Sequence, residues 1–170
     1  PIVICDEDEI VEQEVVTGIA YSKDEAQISI RRVPDQPGVA AAVFGPLAEA
    51  NVNVDMIVQN ISADGAETDI TFTCPAIDCD RAKAVIEERA AAIGYQSLEA
   101  ATGMCKVSVI GVGMRSHAGV AAQAFKALST KGINIRAITT SEIKISVLID
   151  EAYTELAVRT LHSVYGLDKA

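Results

Sequence analysis

Asp35-Gln36-Pro37-Gly38-Val39-Ala40-Ala41 decides the reading of this chain, together with Asn53-Val54-Asp55-Met56-Ile57-Val58-Gln59-Asn60 downstream of it. The first string reads as strand end, tight loop and helix start, and the second as a strand. Both recur 81 residues later, as Ser116-His117-Ala118-Gly119-Val120-Ala121-Ala122 and Asn134-Ile135-Arg136-Ala137-Ile138. At this one offset Gly38 falls on Gly119, Val39 on Val120, Phe44 on Phe125, Leu47 on Leu128 and Asn53 on Asn134. No gap is needed over about thirty positions, which marks a duplicated structural unit.

Outward from the first string, residues 26–33 alternate, with Ile28 and Ile30 on one face and Ser29 and Arg31 on the other, as a half-buried strand does. Residues 22–25 read as a turn, and the β-prone stretch 15–21 precedes them. A helix over 39–50 carries Val39, Val43, Leu47 and Ala48 on one face. Strands follow at 53–61 and 67–74 with a hairpin turn at 63–66, Ile70 and Phe72 pointing inward. Asp78 is placed to cap a helix bearing Ala82, Val85, Ile86, Ala90 and Ile93, which Gly94 stops. A short strand is expected at 95–100. The second copy repeats the pattern: strand 105–112, helix 119–131, strands 133–139 and 142–149, and helix 151–165 with Leu156, Ala157, Leu161 and Val164 inward.

Each copy therefore reads βαββ followed by a helix, an α+β sandwich of ferredoxin-like βαββαβ type with two helices on one face of an antiparallel sheet. Such a unit needs a fourth strand after its second helix. The first copy has 95–100, and the second runs out of chain. Residues 15–22 fill the vacancy if the first copy is an insertion within the second; the rival is a plain hairpin with 26–33. The first reading divides the chain into a lead at 1–14, one domain at 23–101, and another built from 15–22 with 102–170.

Composition narrows function. Of 170 residues 49% are apolar and 22% charged, so a packed core is expected, and with 4% aromatics and no Trp that core is aliphatic. A net charge of −10 argues against nucleic-acid binding, which needs clustered Lys and Arg. No apolar run is long enough for a membrane helix, and Asp6, Glu7, Asp8 and Glu9 stand where a signal peptide is basic. The start at Pro1 suggests processing, or a piece of something longer. Four cysteines form no CxxC pair and only two histidines occur, so no metal site is expected; free thiols in a reducing cytoplasm account for them.

The chain shows no catalytic apparatus. Ser116-His117 lacks a third partner at catalytic spacing, and a loop histidine at a helix start accounts for it. Gly111-Val112-Gly113 lacks the third glycine of a dinucleotide fingerprint. The duplicated loops are the better candidate. A glycine ahead of a helix lets backbone N–H groups approach a carboxylate, which the helix N-terminus favours, and Asp35 at the lip is placed to pair with an ammonium. An α-amino acid offers both charges. The alternative is that Asp35 and Ser116 only cap helices.

These residues resemble the ACT domain family, whose fold is βαββαβ and whose task is binding small regulatory ligands, mostly amino acids. The stretch 53–60 and Ile138-Thr139-Thr140-Ser141-Glu142-Ile143-Lys144-Ile145-Ser146-Val147 are similar to the tandem ACT region of bacterial aspartokinases, over nearly all of the chain from Val15 onward. The resemblance implies feedback inhibition of aspartate phosphorylation, in lysine, threonine and methionine biosynthesis, by lysine, threonine or both. Effectors would bind between ACT units, in a cytoplasmic homodimer associating through ACT sheets and attached to an aspartokinase catalytic domain or subunit. ATP and Mg would belong to that missing part, leaving no cofactor here. By position, Asp35, Pro37, Gly38, Val39 and Ala40 would line one loop, with Asn53, Asp55 and Gln59 on the neighbouring strand. Met114, Ser116, His117, Gly119 and Val120 would line the other, with Asn134, Ile135, Thr140 and Ser141 beside it. Alternatives are an ACT regulator of another amino-acid enzyme and a dimerisation module that binds nothing.

Overall fold

A computed structural model describes residues 15–112, 114 and 117–168. The acidic lead at 1–14 and Ser116 lie outside them. Among the described residues the longest helix has thirteen residues, 118–130, and the longest strand nineteen, 16–34, and two compact units share the chain. Unit 2 is Asp24–Met104; unit 1 is Pro1–Lys23 together with Cys105–Ala170.

In unit 2 the elements are the second part of β1 (Val16–Pro34), α1 (Val39–Glu49), β2 (Asp55–Ile61), β3 (Glu67–Pro75), α2 (Cys79–Glu88), the single turn α3 (Ala90–Ile93) and the first part of β4 (Ser97–Gly111). Its strands neighbour in the order β2-β3-β1-β4. β1 and β2 both pair antiparallel with β3, as in Ile28 with Phe72 and Gln59 with Ile70. The alternation in β1 aims Ile28 and Ile30 at α1 and α2, where they meet Val43, Leu47, Phe72 and Ile86 in one apolar cluster. Phe44 and Phe72 meet edge to face, ring centroids 5.5 Å apart.

Unit 1 repeats the plan with the first part of β1, the second part of β4, α4 (Ala118–Thr130), β5 (Ala137–Thr140), β6 (Lys144–Asp150) and α5 (Thr154–Val164). Its strand order is β1-β4-β6-β5. Residues 15–17 lie beside the end of β4: Val112 N–H donates to the Val15 carbonyl at 3.0 Å and the Thr17 hydroxyl to that of Ile110 at 3.3 Å. Val107, Val109, Val120, Leu128, Ile145, Val147 and Leu161 form the aliphatic core. Tyr165 ties α5 to α4 by donating its hydroxyl to the Val120 carbonyl. Burial pushes that phenol up to about 12.

Several expectations give way. The turn at 22–25 does not form, and the strands expected at 95–100 and 105–112 are parts of one strand, Ser97–Gly111. Glu25 pairs with Pro75 and Ala26 with Cys74, so the ladder satisfies this backbone where a turn was expected; Asp24 (φ 60°) marks an irregularity. With 16–34 a single strand, no hairpin joins 15–21 to 26–33. The second helix breaks at Arg89, and Gly94 (φ 78°) ends α3. Asp78 makes no side-chain cap, because its carboxylate is taken by Arg81 at 2.9 Å. Ala48 is exposed, about 100° round the helix from buried Leu47. Val164, in the last turn of α5, is 40% exposed. No helix among the described residues is long and apolar enough to cross a membrane.

Candidate ligand loops

Each unit carries one loop between its central strand and its first helix. In unit 2 the core residue Val33 ends the inward run of β1, and Pro34 to Gly38 are exposed before Val39 returns to the core. Gly38 stands at the N-cap of α1 with φ 90°, a left-handed backbone that a side chain disfavours. No side chain caps this helix. The Val39 N–H reaches back to the Gln36 carbonyl at 3.3 Å, and the Ala42 N–H to Gly38 at 3.0 Å. The remaining first-turn N–H groups, that of exposed Ala40 included, have no partner within the helix. Asp35 is exposed, and its N–H donates to the Ala66 carbonyl at 3.0 Å, fastening the loop to the β2–β3 hairpin turn. Exposed carboxylate, open N–H groups and positive helix end together suit a small zwitterion.

The unit 1 loop is built differently. Met114 is buried and its N–H donates to the Glu142 carbonyl at 2.8 Å, while Gly111 N–H donates to Ile143 at 2.8 Å. His117 is the N-cap of α4, with φ −128°, and donates its N–H to Met114 at 3.2 Å. The helix begins two residues earlier relative to the repeat, so Gly119 lies inside α4, while Val120 keeps its partner's inward role. The Glu142 and Ile143 carbonyls belong to the β5–β6 turn, which follows Thr140 and contains Ser141. There Ser141 Oγ accepts from Ile143 and Lys144 N–H groups at 3.3 and 3.2 Å, so the hydroxyl first shapes the turn.

Asn53, Asp55, Asn134 and Ile135 stand away from their loops. Asn53 and Asp55 follow the C-terminal end of α1, an 11-residue helix about 16 Å long, so within the unit they stand at the opposite end from Asp35. Asp55 Oδ1 accepts the N–H of Met56 at 2.9 Å, at a bulge where Met56 has φ 44°. Gln59 is exposed on β2, the edge strand. Asn134 and Ile135 follow the far end of α4 and, with Phe125 and Gly132, line a hollow of about 390 Å³. Helix length imposes this separation. Arg32 is missed by the sequence reading; it lines another hollow, of about 490 Å³, beside the β2–β3 turn. Its signal is in the repeat, which sets Gly113 at the matching position.

The described cysteines offer no reactive thiol. Burial raises the thiols of Cys74, to about 12, and of Cys79 and Cys105, so they stay protonated and inert at neutral pH.

The ACT domain family matches twice, over residues 26–94 and 107–165. An aspartokinase of Pseudomonas aeruginosa is 52% identical over 167 residues, 98% of this chain and 40% of that protein, so the chain spans well under half the length of such curated relatives. A solved structure of aspartokinase alpha and beta subunits superposes with a TM-score of 0.82 at 50% identity, covering 89% of this chain and 99% of that one. The ligand-free regulatory subunit of aspartate kinase from Thermus thermophilus does so with a TM-score of 0.81 at 39% identity, covering 88% and 98%. Two ferredoxin-like units, two family matches and near-complete overlap with an aspartate kinase regulatory subunit place this chain in the ACT domain family, as the non-catalytic regulatory part of an aspartokinase.

Proposed function

We propose that this chain binds free lysine, threonine or both at its helix-start loops, and so mediates feedback inhibition of aspartate phosphorylation by an attached catalytic domain or subunit. One observation carries the reading: in unit 2 an exposed carboxylate, Asp35, stands at the lip of an uncapped helix entered through a left-handed glycine, Gly38. The helix N-terminus takes the effector's carboxylate, and Asp35 takes its ammonium. Pro37 holds the loop between them. Unit 1 offers its helix start with His117 at the cap and no acid there, which supports different ligands in the two units. Effector bound more tightly to one arrangement of the assembly shifts the kinase toward it, a coupling of about 1–3 kcal/mol in known cases. Two such chains associate through their sheets: edge strand β2 exposes Ile57 at 49% and Ile61 at 61%, and edge strand β5 exposes Ile138 at 43%. The assembly works in the cytoplasm, where its thiols stay reduced.

Thermal melting with each of the twenty amino acids, then with lysine and threonine together, tests this. A ligand that binds only the folded chain adds about 2.7 kcal/mol at a hundred times its Kd. A rise with lysine or threonine, diminished by about tenfold in affinity in Asp35→Ala, is the expected outcome. A rise with other amino acids alone identifies a regulator of a different enzyme. No rise with any leaves a dimerisation module.

A further inference from the structure

Between the inward-facing Ile30 and Val33, both fully buried, β1 accommodates two residues where strict alternation allows an even step. The register against β3 shifts there, which is a β-bulge, a device that re-aims a side chain. The extra residue is Arg32, with φ 56°. A non-glycine residue in that region is strained, and glycine is the undemanding choice. The second copy has that choice, Gly113, at the matching position. The bulge is also braced: Asp69 Oδ1 accepts the Arg32 N–H at 2.8 Å, and Asp69 Oδ2 faces the Arg31 guanidinium at 3.4 Å. Strain held in place by neighbouring groups is characteristic of functional positions.

The Arg32 side chain is exposed and lines the hollow beside the β2–β3 turn, along with Asn60, Glu67 and Thr68. Its guanidinium makes no ion pair among the described residues. Two of the carboxylates lining the hollow are occupied. Asp69 holds the bulge, and Asp64 accepts the Ser62 hydroxyl at 2.6 Å and the Ala66 N–H at 3.0 Å, which hold it below the usual carboxylate range. That leaves one cation, Arg32, one carboxylate, Glu67, and the amide of Asn60. The hollow adjoins the Asp35 loop, whose N–H is bonded to Ala66 of the same turn.

We propose that Arg32 is a ligand-binding residue of unit 2, its guanidinium taking the carboxylate of a free amino acid lodged in this hollow, with Glu67 facing the ammonium. The inference rests on the amino-acid reading above and deepens it, adding a contact set on the hairpin side of the loop that unit 1, with Gly113, does not share. It makes unit 2 the unit with a charged, bidentate carboxylate anchor.

The test is Arg32→Gly in the full chain, read by melting without ligand and by calorimetric titration of each amino acid that shifts the parent. Glycine relieves the backbone, so the unliganded midpoint is expected to hold or rise, while affinity for at least one amino acid falls tenfold or more. Arg32→Asn, which also tolerates this backbone, repeats the measurement should the glycine variant melt early. Asp35→Ala runs alongside. Unchanged affinity in both Arg32 variants, with loss in Asp35→Ala, overturns the role of Arg32 and leaves the loop reading standing. A parent chain that binds none of the twenty overturns both.

Discussion

In unit 2 the chain enters its first helix through Gly38, exposed and left-handed, whereas in unit 1 it enters through His117, hydrogen-bonded to buried Met114. The loops sit at equivalent places in a duplicated fold, and the repeat aligns them residue for residue. Both are tied to a hairpin turn, by the Asp35 N–H in unit 2 and by the Gly111 and Met114 N–H groups in unit 1, yet the unit 2 loop carries an acid, Asp35, and enters its helix through a left-handed residue. The cores tell the opposite story. Leu47 and Leu128, partners across the repeat, are both fully buried among aliphatic neighbours. Duplication kept what the fold needs in each half and let the loops diverge, because a core position is constrained by packing from every side and a loop only by the turn it must make.

The largest effect is expected where the halves agree. Leu47→Ala and Leu128→Ala should each cost about 2–5 kcal/mol in urea unfolding, by lost burial and the cavity left behind. Costs that differ severalfold would break the equivalence of the two cores. Glycine replacements come next and sharpen the contrast between the loops. A Cβ at Gly111 would stand 1.8 Å from the Val15 carbonyl oxygen and 2.9 Å from Met114 Sδ, so Gly111→Ala must displace backbone and should cost about 3 kcal/mol. A Cβ at Gly38 meets nothing within 4 Å, so Gly38→Ala bears only the strain of φ 90°, about 1–2 kcal/mol. Equal midpoint shifts for the two alanine variants would contradict the difference in packing.

The smallest effect is a pH dependence at the alkaline end. Burial holds the Tyr165 phenol at about 12, above its ordinary 10.0, so the unfolded chain loses this proton first. Its contribution is complete below pH 10 and is lost as pH rises from 10 toward 12. Tyr165→Phe should flatten that part of the stability curve in unit 1. Cys74, raised from 9.0 to about 12 in unit 2, should keep its own decline, beginning nearer pH 9. A variant curve that still falls with the parent's slope above pH 10 would remove Tyr165 from the account.

Much of this was legible in the chain. The offset of 81 residues pairs Gly38 with Gly119 and Leu47 with Leu128, and periods of two and 3.6 set the strands and helices. Ile28, Ile30, Val43, Ile70, Phe72, Ala82 and Ile86 were readable as core from that spacing, and all are buried. What escaped depends on a competing partner or on the length of an element. Residues 22–25 look like a turn because Ser, Lys, Asp and Glu are polar, but strand pairing overrides that local preference. Asp78 looks like a cap until Arg81 competes for its carboxylate. Asn134 looks like a loop residue beside His117 until the length of α4 carries it to the other end.

The sequence by itself determined the duplicated α+β plan, the aliphatic composition of both cores and the places of the two strand-to-helix loops, since each follows from spacing within a few turns of chain. Only the tertiary structure decided that residues 16–34 and 97–111 each form one strand, that Arg32 sits on a strained bulge opposite Asp69, and that one helix starts at a left-handed glycine while the other starts beside buried Met114. Those features arise from hydrogen bonds and contacts between residues tens of positions apart, and local periodicity carries no record of them.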